Sequence, residues 1–207
     1  MAMASPVPET PGPDWPVIAL VASAGGVEAT SAVVAGLPAS LPAAVLVLVH
    51  QSPDRASLLA EILARRAALP VSDAEDGTRL APGRILVAPA AHHMLVTPDG
   101  ILALIASGPA PPSRPSADLL LTTLAVAMRD RAVAVVLSGG GRDGATGATA
   151  VHAFGGMVLA TDEPSSAVFS MPSATIERDD TVDHVVGLDD VAGLLVGLAT
   201  APRLSPG

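Results

Sequence analysis

Along this chain two hydrophobic patterns alternate. Continuous apolar runs of strand length stand at Val17-Ile18-Ala19-Leu20-Val21-Ala22, Ala44-Val45-Leu46-Val47-Leu48-Val49 and Ala132–Leu137. None shows the polar alternation of a half-exposed strand, so each predicts a strand buried on both faces, as in a parallel sheet. Between them lie segments with helical spacing. Val27–Leu37 predicts a helix stopped by Pro38. Residues 55–67 predict a second, with Leu58, Leu59, Ile62 and Leu63 inward and Arg55, Glu61, Arg65 and Arg66 outward. Ala117, Leu120, Leu121, Leu124 and Met128 make the apolar stripe of a third.

Shorter signals fill the gaps. Pro70-Val71-Ser72 and Arg84–Ala88 read as short strands, and Asp76-Gly77 as a turn. His92–Thr97 and Ile101–Ser107 flank Pro98-Asp99-Gly100 and predict a β-hairpin. A proline-rich loop occupies 108–115. After the strand at 132–137 come a helix over Ala145–Phe154, a strand over Met157–Thr161 and a helical stretch around Ala174–Glu177. A strand at Val182–Val185 and a helix over Val191–Ala199 complete the pattern. The sum is an α/β fold: a doubly wound, mostly parallel sheet flanked by helices, with an inserted antiparallel hairpin. Residues 17–200 are expected to form one domain. Residues 1–16 and 201–207 are expected to be disordered tails.

Composition narrows the chemistry. Half of the 207 residues are hydrophobic, yet aromatics make up 1%: Trp15, Phe154 and Phe169. The core must be aliphatic, and base stacking on single-stranded nucleic acid has little to work with. A net charge of −9 repels phosphates at long range, so no nucleic-acid partner is expected. Cysteine is absent, which excludes disulfides and thiolate metal sites, and the five histidines lack zinc spacing. No metal is therefore expected. Neither a signal peptide nor an apolar run long enough for a membrane span is present, so a soluble, cytoplasmic protein without membrane insertion is expected.

In doubly wound sheets, sites gather beyond the C-terminal ends of the strands. Three of the most apolar strands end at Ser23, at His50 and in the run Ser138-Gly139-Gly140-Gly141-Arg142-Asp143-Gly144. A hydroxyl, an imidazole and a carboxylate on one sheet edge are the parts of an activated serine nucleophile. Each part also has a plainer role. Ser23 suits a helix cap, His50 can simply end a strand, and Asp143 suits an N-cap in a tight turn. His92 and His93 read as exposed or structural, as do His152 and His184. A different chemistry is also open: Gly139-x-Gly141-x-x-Gly144 follows a strand, opens a helix and precedes Asp162 by about the spacing of a dinucleotide-binding motif. Against that reading, Asp143 would repel the pyrophosphate, and the motif falls late in the chain.

Taken together, these segments resemble the CheB family of chemoreceptor protein-glutamate methylesterases. The likeness rests on Ala22-Ser23-Ala24-Gly25-Gly26, Val49-His50-Gln51, Ala74-Glu75-Asp76-Gly77 and Ala88-Pro89. It continues in Arg114-Pro115-Ser116-Ala117-Asp118, Ser138–Ala145, Asp162-Glu163 and Val168-Phe169-Ser170-Met171-Pro172. The resemblance implies hydrolysis of γ-glutamyl methyl esters, and deamidation of glutamines, on the signalling helices of a methylated chemoreceptor. It implies Ser23 as nucleophile, His50 as base, Asp143 as its orienting acid, and the N–H groups of Gly140 and Ala24 as oxyanion donors. No cofactor is implied. A catalytically weak domain that binds receptor or signalling partners is the alternative. Val21 stands where the family commonly has glycine, Ala24 where it has a hydroxyl residue, and Gly140 where it has methionine. Val49 and Gln51 also replace its usual glutamine and methionine around His50. These changes predict a tighter or shifted corner and a looser loop. Many members carry an N-terminal receiver domain; with about 16 residues before Val17, this chain is expected to be a stand-alone domain, either constitutive or answering to a separate regulatory protein.

Overall fold

The computed structural model describes residues 14–52, 54, 57–108, 114–178 and 180–201. Of the expected tails, only residues 14–16 and 201 fall within them, and most of the proline-rich loop lies outside them. The strands are β1 (Val17–Ala22), β2 (Ala44–Val49), β3 (Val71–Asp73), β4 (Arg84–Val87), β5 (His92–Val96), β6 (Leu102–Ala106), β7 (Ala132–Val136), β8 (Met157–Thr161) and β9 (His184–Val186). Seven of them form one sheet in the order β3-β4-β2-β1-β7-β8-β9. All six pairings in that sheet are parallel. β5 and β6 form the expected antiparallel hairpin.

β1 shows why the long apolar runs fold as they do. Val17, Ala19 and Val21 enter one core, while Ile18, Leu20 and Ala22 enter the other. A strand sandwiched in this way has no face for a polar residue. The first core is closed by the hairpin through Met94, Val96 and Leu102, and by α3 (Ala117–Met128), α4 (Ala145–Ala153) and Met171 of α5 (Ser170–Ile176). On the other face lie α1 (Gly26–Ala35), α2 (Leu59–Ala64) and α6 (Leu188–Thr200).

Three helices depart from the sequence reading. α2 is shorter: Ser57 Oγ accepts the Leu59 N–H, so the helix begins after Leu58, which is 58% exposed, as Ile62 is at 37%. Only Leu59 and Leu63 of the expected stripe are buried. α5 begins earlier, at Ser170, because Pro172 sits in the first turn, where its missing N–H costs nothing. α6 also begins earlier, with Asp189 and Asp190 in its first turn, where the helix dipole favours them.

From β1 the chain steps to β2 on one side and later returns to β7 on the other, so β1 marks the switch point of the sheet. The crevice beyond the ends of β1, β2 and β7 is where a doubly wound fold places a ligand.

Candidate active site

Register positions the first two residues. Ala22 pairs with Val49, so Ser23 and His50 are the next residues on adjacent parallel strands. The ladder runs on past both strands: His50 N–H donates to Ala22 O at 3.0 Å, and Ser23 N–H to Ser138 O at 3.0 Å. It also runs unbroken through Val21, paired with Leu48 and Val136. Val21 therefore occupies a regular strand position.

At the corner, Gly25 takes φ 74° and serves as the N-cap of α1, with no side-chain cap. A Cβ there would lie 2.8 Å from Ala167 Cβ and 2.9 Å from Ser138 Oγ; one at Gly26 would lie 2.6 Å from Ala22 Cβ. Both positions exclude any larger residue. Ser23 is not the cap, and its Oγ makes no hydrogen bond among the described residues. The N–H groups of Ala24, Gly25 and Gly140 likewise have no intramolecular acceptor among them.

Asp143 is the opposite case. Its Oδ2 accepts from His50 Nε2 at 2.8 Å and from Ala117 N–H at 2.6 Å. Its Oδ1 accepts from Asp118 N–H at 3.0 Å and Ser116 Oγ at 3.1 Å. Burial pushes this carboxyl up, but the hydrogen bonds from His50, Ala117 and Asp118 outweigh it, and its pKa falls below the ordinary value. Asp143 thus caps a helix after all, but α3 rather than its own α4. With Nε2 engaged by Asp143, Nδ1 is the nitrogen left to His50 for a second partner. Gln51, next in the chain after the histidine, is anchored on its own account: its N–H donates to Arg114 O and its Nε2 to Ala88 O.

Three supporting residues escaped the sequence reading. Ser138 is 2% exposed; its Oγ donates to Ala24 O and accepts from Val168 N–H, bracing the serine corner against the loop before α5. His93 Nδ1 accepts the Ser116 N–H at 2.9 Å, so this imidazole is neutral with its proton on Nε2. Burial lowers its pKa, with the Asp143 charge pulling the other way. Asp118 Oδ1 accepts from the N–H groups of Gly144 and Gly147. The local signal for the α3 cap was present, since Ser116 precedes an apolar stripe with Asp118 in the first turn. The long-range partners left no such trace.

The glycine loop does not suit a pyrophosphate. Gly139 N–H donates to Val168 O, Gly141 N–H to Ser170 Oγ and Gly144 N–H to Asp118, so the amides of the three motif glycines already have protein acceptors. Gly139 is packed, since a Cβ there would lie 2.6 Å from Met171 Sδ and 3.0 Å from Ser23 Cβ. At Gly140 an added Cβ meets nothing within 4 Å, and its φ is not positive. The position takes a side chain without strain.

The chain has relatives among known proteins. The sequence profile of the CheB methylesterase family matches residues 18–195. The chain belongs to the CheB methylesterase family. It is 38% identical to the protein-glutamate methylesterase FrzG of Myxococcus xanthus, over 80% of this chain and 50% of that protein. It is 38% identical to the protein-glutamate methylesterase/protein-glutamine glutaminase of group 2 operon of Cereibacter sphaeroides, over 98% of this chain and 56% of that one. The crystal structure of the Thermotoga maritima CheB methylesterase catalytic domain superposes with a TM-score of 0.84 at 30% identity, covering 89% of this chain and 99% of that one. The chain spans about half the length of the curated relatives it matches.

Two grooves adjoin these residues. One, of about 480 Å³, runs from His50 along Val27, Val49, Leu58 and Ile62 and is mostly apolar. The other, of about 610 Å³, lies between the glycine loop and α5 and carries Arg142, Arg178, Ser173 and Glu177. Among the described residues, no helix is long and apolar enough to cross a membrane.

Proposed function

We propose that this domain is a serine esterase that hydrolyses γ-glutamyl methyl esters on the signalling helices of a chemoreceptor, and that the same machinery deamidates glutamines. The observation that carries the reading is the 2.8 Å bond between His50 and Asp143 beside Ser23, which stands at the same register on the adjacent strand. In the reaction, Ser23 Oγ bonds to the ester carbonyl carbon while His50 Nδ1 takes its proton. Asp143 holds the ring and stabilises the imidazolium. The N–H groups of Ala24 and Gly140 receive the oxyanion. Collapse breaks the bond to the methoxy oxygen, His50 returns the proton to it, and methanol leaves. Water then repeats the sequence on the acyl-enzyme and restores Ser23. With glutamine as substrate the leaving group is ammonia.

The two grooves support a helical substrate. An amphipathic helix laid across the strand ends meets the apolar Leu58 and Ile62 on one side of Ser23, and Arg142 and Arg178 near the glycine loop. The reading puts the enzyme in the cytoplasm, beside the receptor's signalling helices and open to a separate regulatory protein. Ser23→Ala is expected to abolish methanol release from membranes carrying a methyl-labelled chemoreceptor while leaving the circular dichroism spectrum unchanged. Undiminished release would overturn the proposal.

A second reading draws on one observation, the absence of a hydrogen bond between Ser23 Oγ and His50. In that reading the domain binds receptor or signalling partners with little turnover. Catalytic hydrogen bonds often tighten only when substrate is bound, so the two readings part on reactivity. A serine-directed phosphonate labels Ser23 in the esterase and leaves it unlabelled in the binder.

A further inference from the structure

Asp143 does not stand alone at the end of its loop; a second carboxylate is traded against it. Asp143 precedes α4 and caps α3, accepting the N–H groups of Ala117 and Asp118. Asp118, in the first turn of α3, caps α4 in return, accepting the N–H of Gly144 at 2.9 Å and of Gly147 at 2.8 Å. Gly144 is the residue next to Asp143 and takes φ 99°, so its orientation sets where the Asp143 backbone turns. The exchange requires the two helix starts to lie very close. A Cβ at Gly147 would fall 2.5 Å from Leu121 Cβ and 3.0 Å from Asp118 O, so only glycine permits the approach.

The cost of Asp118 sharpens the point. Burial pushes its carboxyl above the ordinary range, the Asp143 charge adds to this, and the N–H groups of Gly147, Gly144 and Thr146 offset it only in part. A buried carboxylate beside a second carboxylate is a poor choice for stability. Its geometric role is specific: one oxygen receives the N–H of the residue after Asp143 and an N–H from the first turn of the helix that Asp143 precedes.

We infer that Asp118 is the positioning residue of the triad: by clamping Gly144 and Gly147 it fixes the loop that aims the Asp143 carboxylate at His50 Nε2. The inference rests on the esterase reading for its kinetic consequence and not for its structural one. Two variants separate geometry from charge. Asp118→Ala removes both bonds to α4, whereas Asp118→Asn keeps an oxygen to accept them. A displacement of the order of 1 Å at such a site costs roughly 10²-fold in rate. Asp118→Ala is therefore expected to lower kcat by about 10- to 100-fold on methyl-labelled chemoreceptor, with KM within about threefold, and Asp118→Asn to recover most of it.

The structural arm is the low-field proton resonance of the hydrogen bond between His50 Nε2 and Asp143, assigned by its loss in His50→Ala. It is expected to broaden or move upfield in Asp118→Ala and to persist in Asp118→Asn. A wild-type resonance and kcat in Asp118→Ala overturn the inference, as does an Asp118→Asn variant no better than Asp118→Ala. Should Asp118→Ala fail to fold, Asp118→Asn decides alone: a retained resonance and near-native kcat support the clamp, and loss of either overturns it. Failure of the esterase reading shows separately, as methanol release undiminished in Ser23→Ala, and leaves the resonance test intact.

Discussion

The two flanks of the crevice are built on opposite principles. On the Asp143 side both carboxylate oxygens are spoken for: the carboxylate accepts four hydrogen bonds, and the exchange with Asp118 ties together two helix starts. On the Ser23 side the hydroxyl and the N–H groups of Ala24 and Gly140 have no partner among the described residues, although the backbone that carries Ser23 is braced by Ser138 and by glycines with no room for a Cβ. One flank is finished and the other is held open. A group whose task is to orient gains from saturation, while groups that must meet a substrate are useful only if nothing inside the protein has claimed them.

The sharpest way to break that contrast is to unsaturate the finished flank. Asp143→Asn replaces an acceptor-only carboxylate with an amide that brings two donors into a nest of donors. Turnover should fall by roughly 10⁴-fold, as when a triad acid loses its charge, measured by methanol release. Urea unfolding should register a loss of about 1–3 kcal/mol. On the open flank, Gly25→Ala meets both a left-handed backbone and two close atoms, and should cost about 1–3 kcal/mol in the same assay.

Acid provides a graded version of the test. Asp143 has its pKa lowered on folding, so it contributes stability that is complete above its unfolded value, near 3.8, and is lost as pH falls through the folded value beneath it. Asp118 has the opposite sign, because its pKa is raised and its ionised form is a cost at neutral pH. At pH 7 the urea midpoint of Asp143→Asn should lie below that of the wild type, and that of Asp118→Asn level with or above it. The Asp143 difference should shrink as pH falls below about 3.8, whereas the Asp118 difference should shrink already above it, as pH falls through the raised folded value. The smallest effect belongs to Gly140→Ala: with open space around the new methyl and no positive φ, stability should change by no more than about 0.5 kcal/mol. A larger loss would mean that the loop is not as free at Gly140 as its surroundings indicate.

What the sequence disclosed follows this same division. Buried parallel strands leave a strong local trace, an unbroken apolar run, and so the ends of β1, β2 and β7, with Ser23, His50 and the glycine loop beyond them, were legible. The hairpin was legible from Pro98-Asp99-Gly100 between two apolar stretches. The partners that saturate Asp143 were not. Ser116, Asp118 and His93 act on groups more than twenty positions away, and Ser138 reaches Ala24 across 114. No periodicity records such pairings. Helix starts misled for a related reason. Leu58 fits the stripe of α2 by spacing, but Ser57 competes for the Leu59 N–H and shortens the helix. Pro172 looks like a boundary, although a proline in the first turn breaks nothing.

The continuation of the β1–β2 ladder into Ser23 and His50 makes the sheet a ruler. Neighbouring strands lie about 4.8 Å apart whatever side chains they carry, so this part of the site is dimensioned by peptide groups and not by a chosen set of contacts. The spacing is correspondingly digital. A residue added among the exposed positions 38–40 changes only the length of a loop. A residue added within β1 moves Ser23 by a full rung, about 3.3 Å, and turns its side chain to the opposite face. Length can drift around this site but not through it.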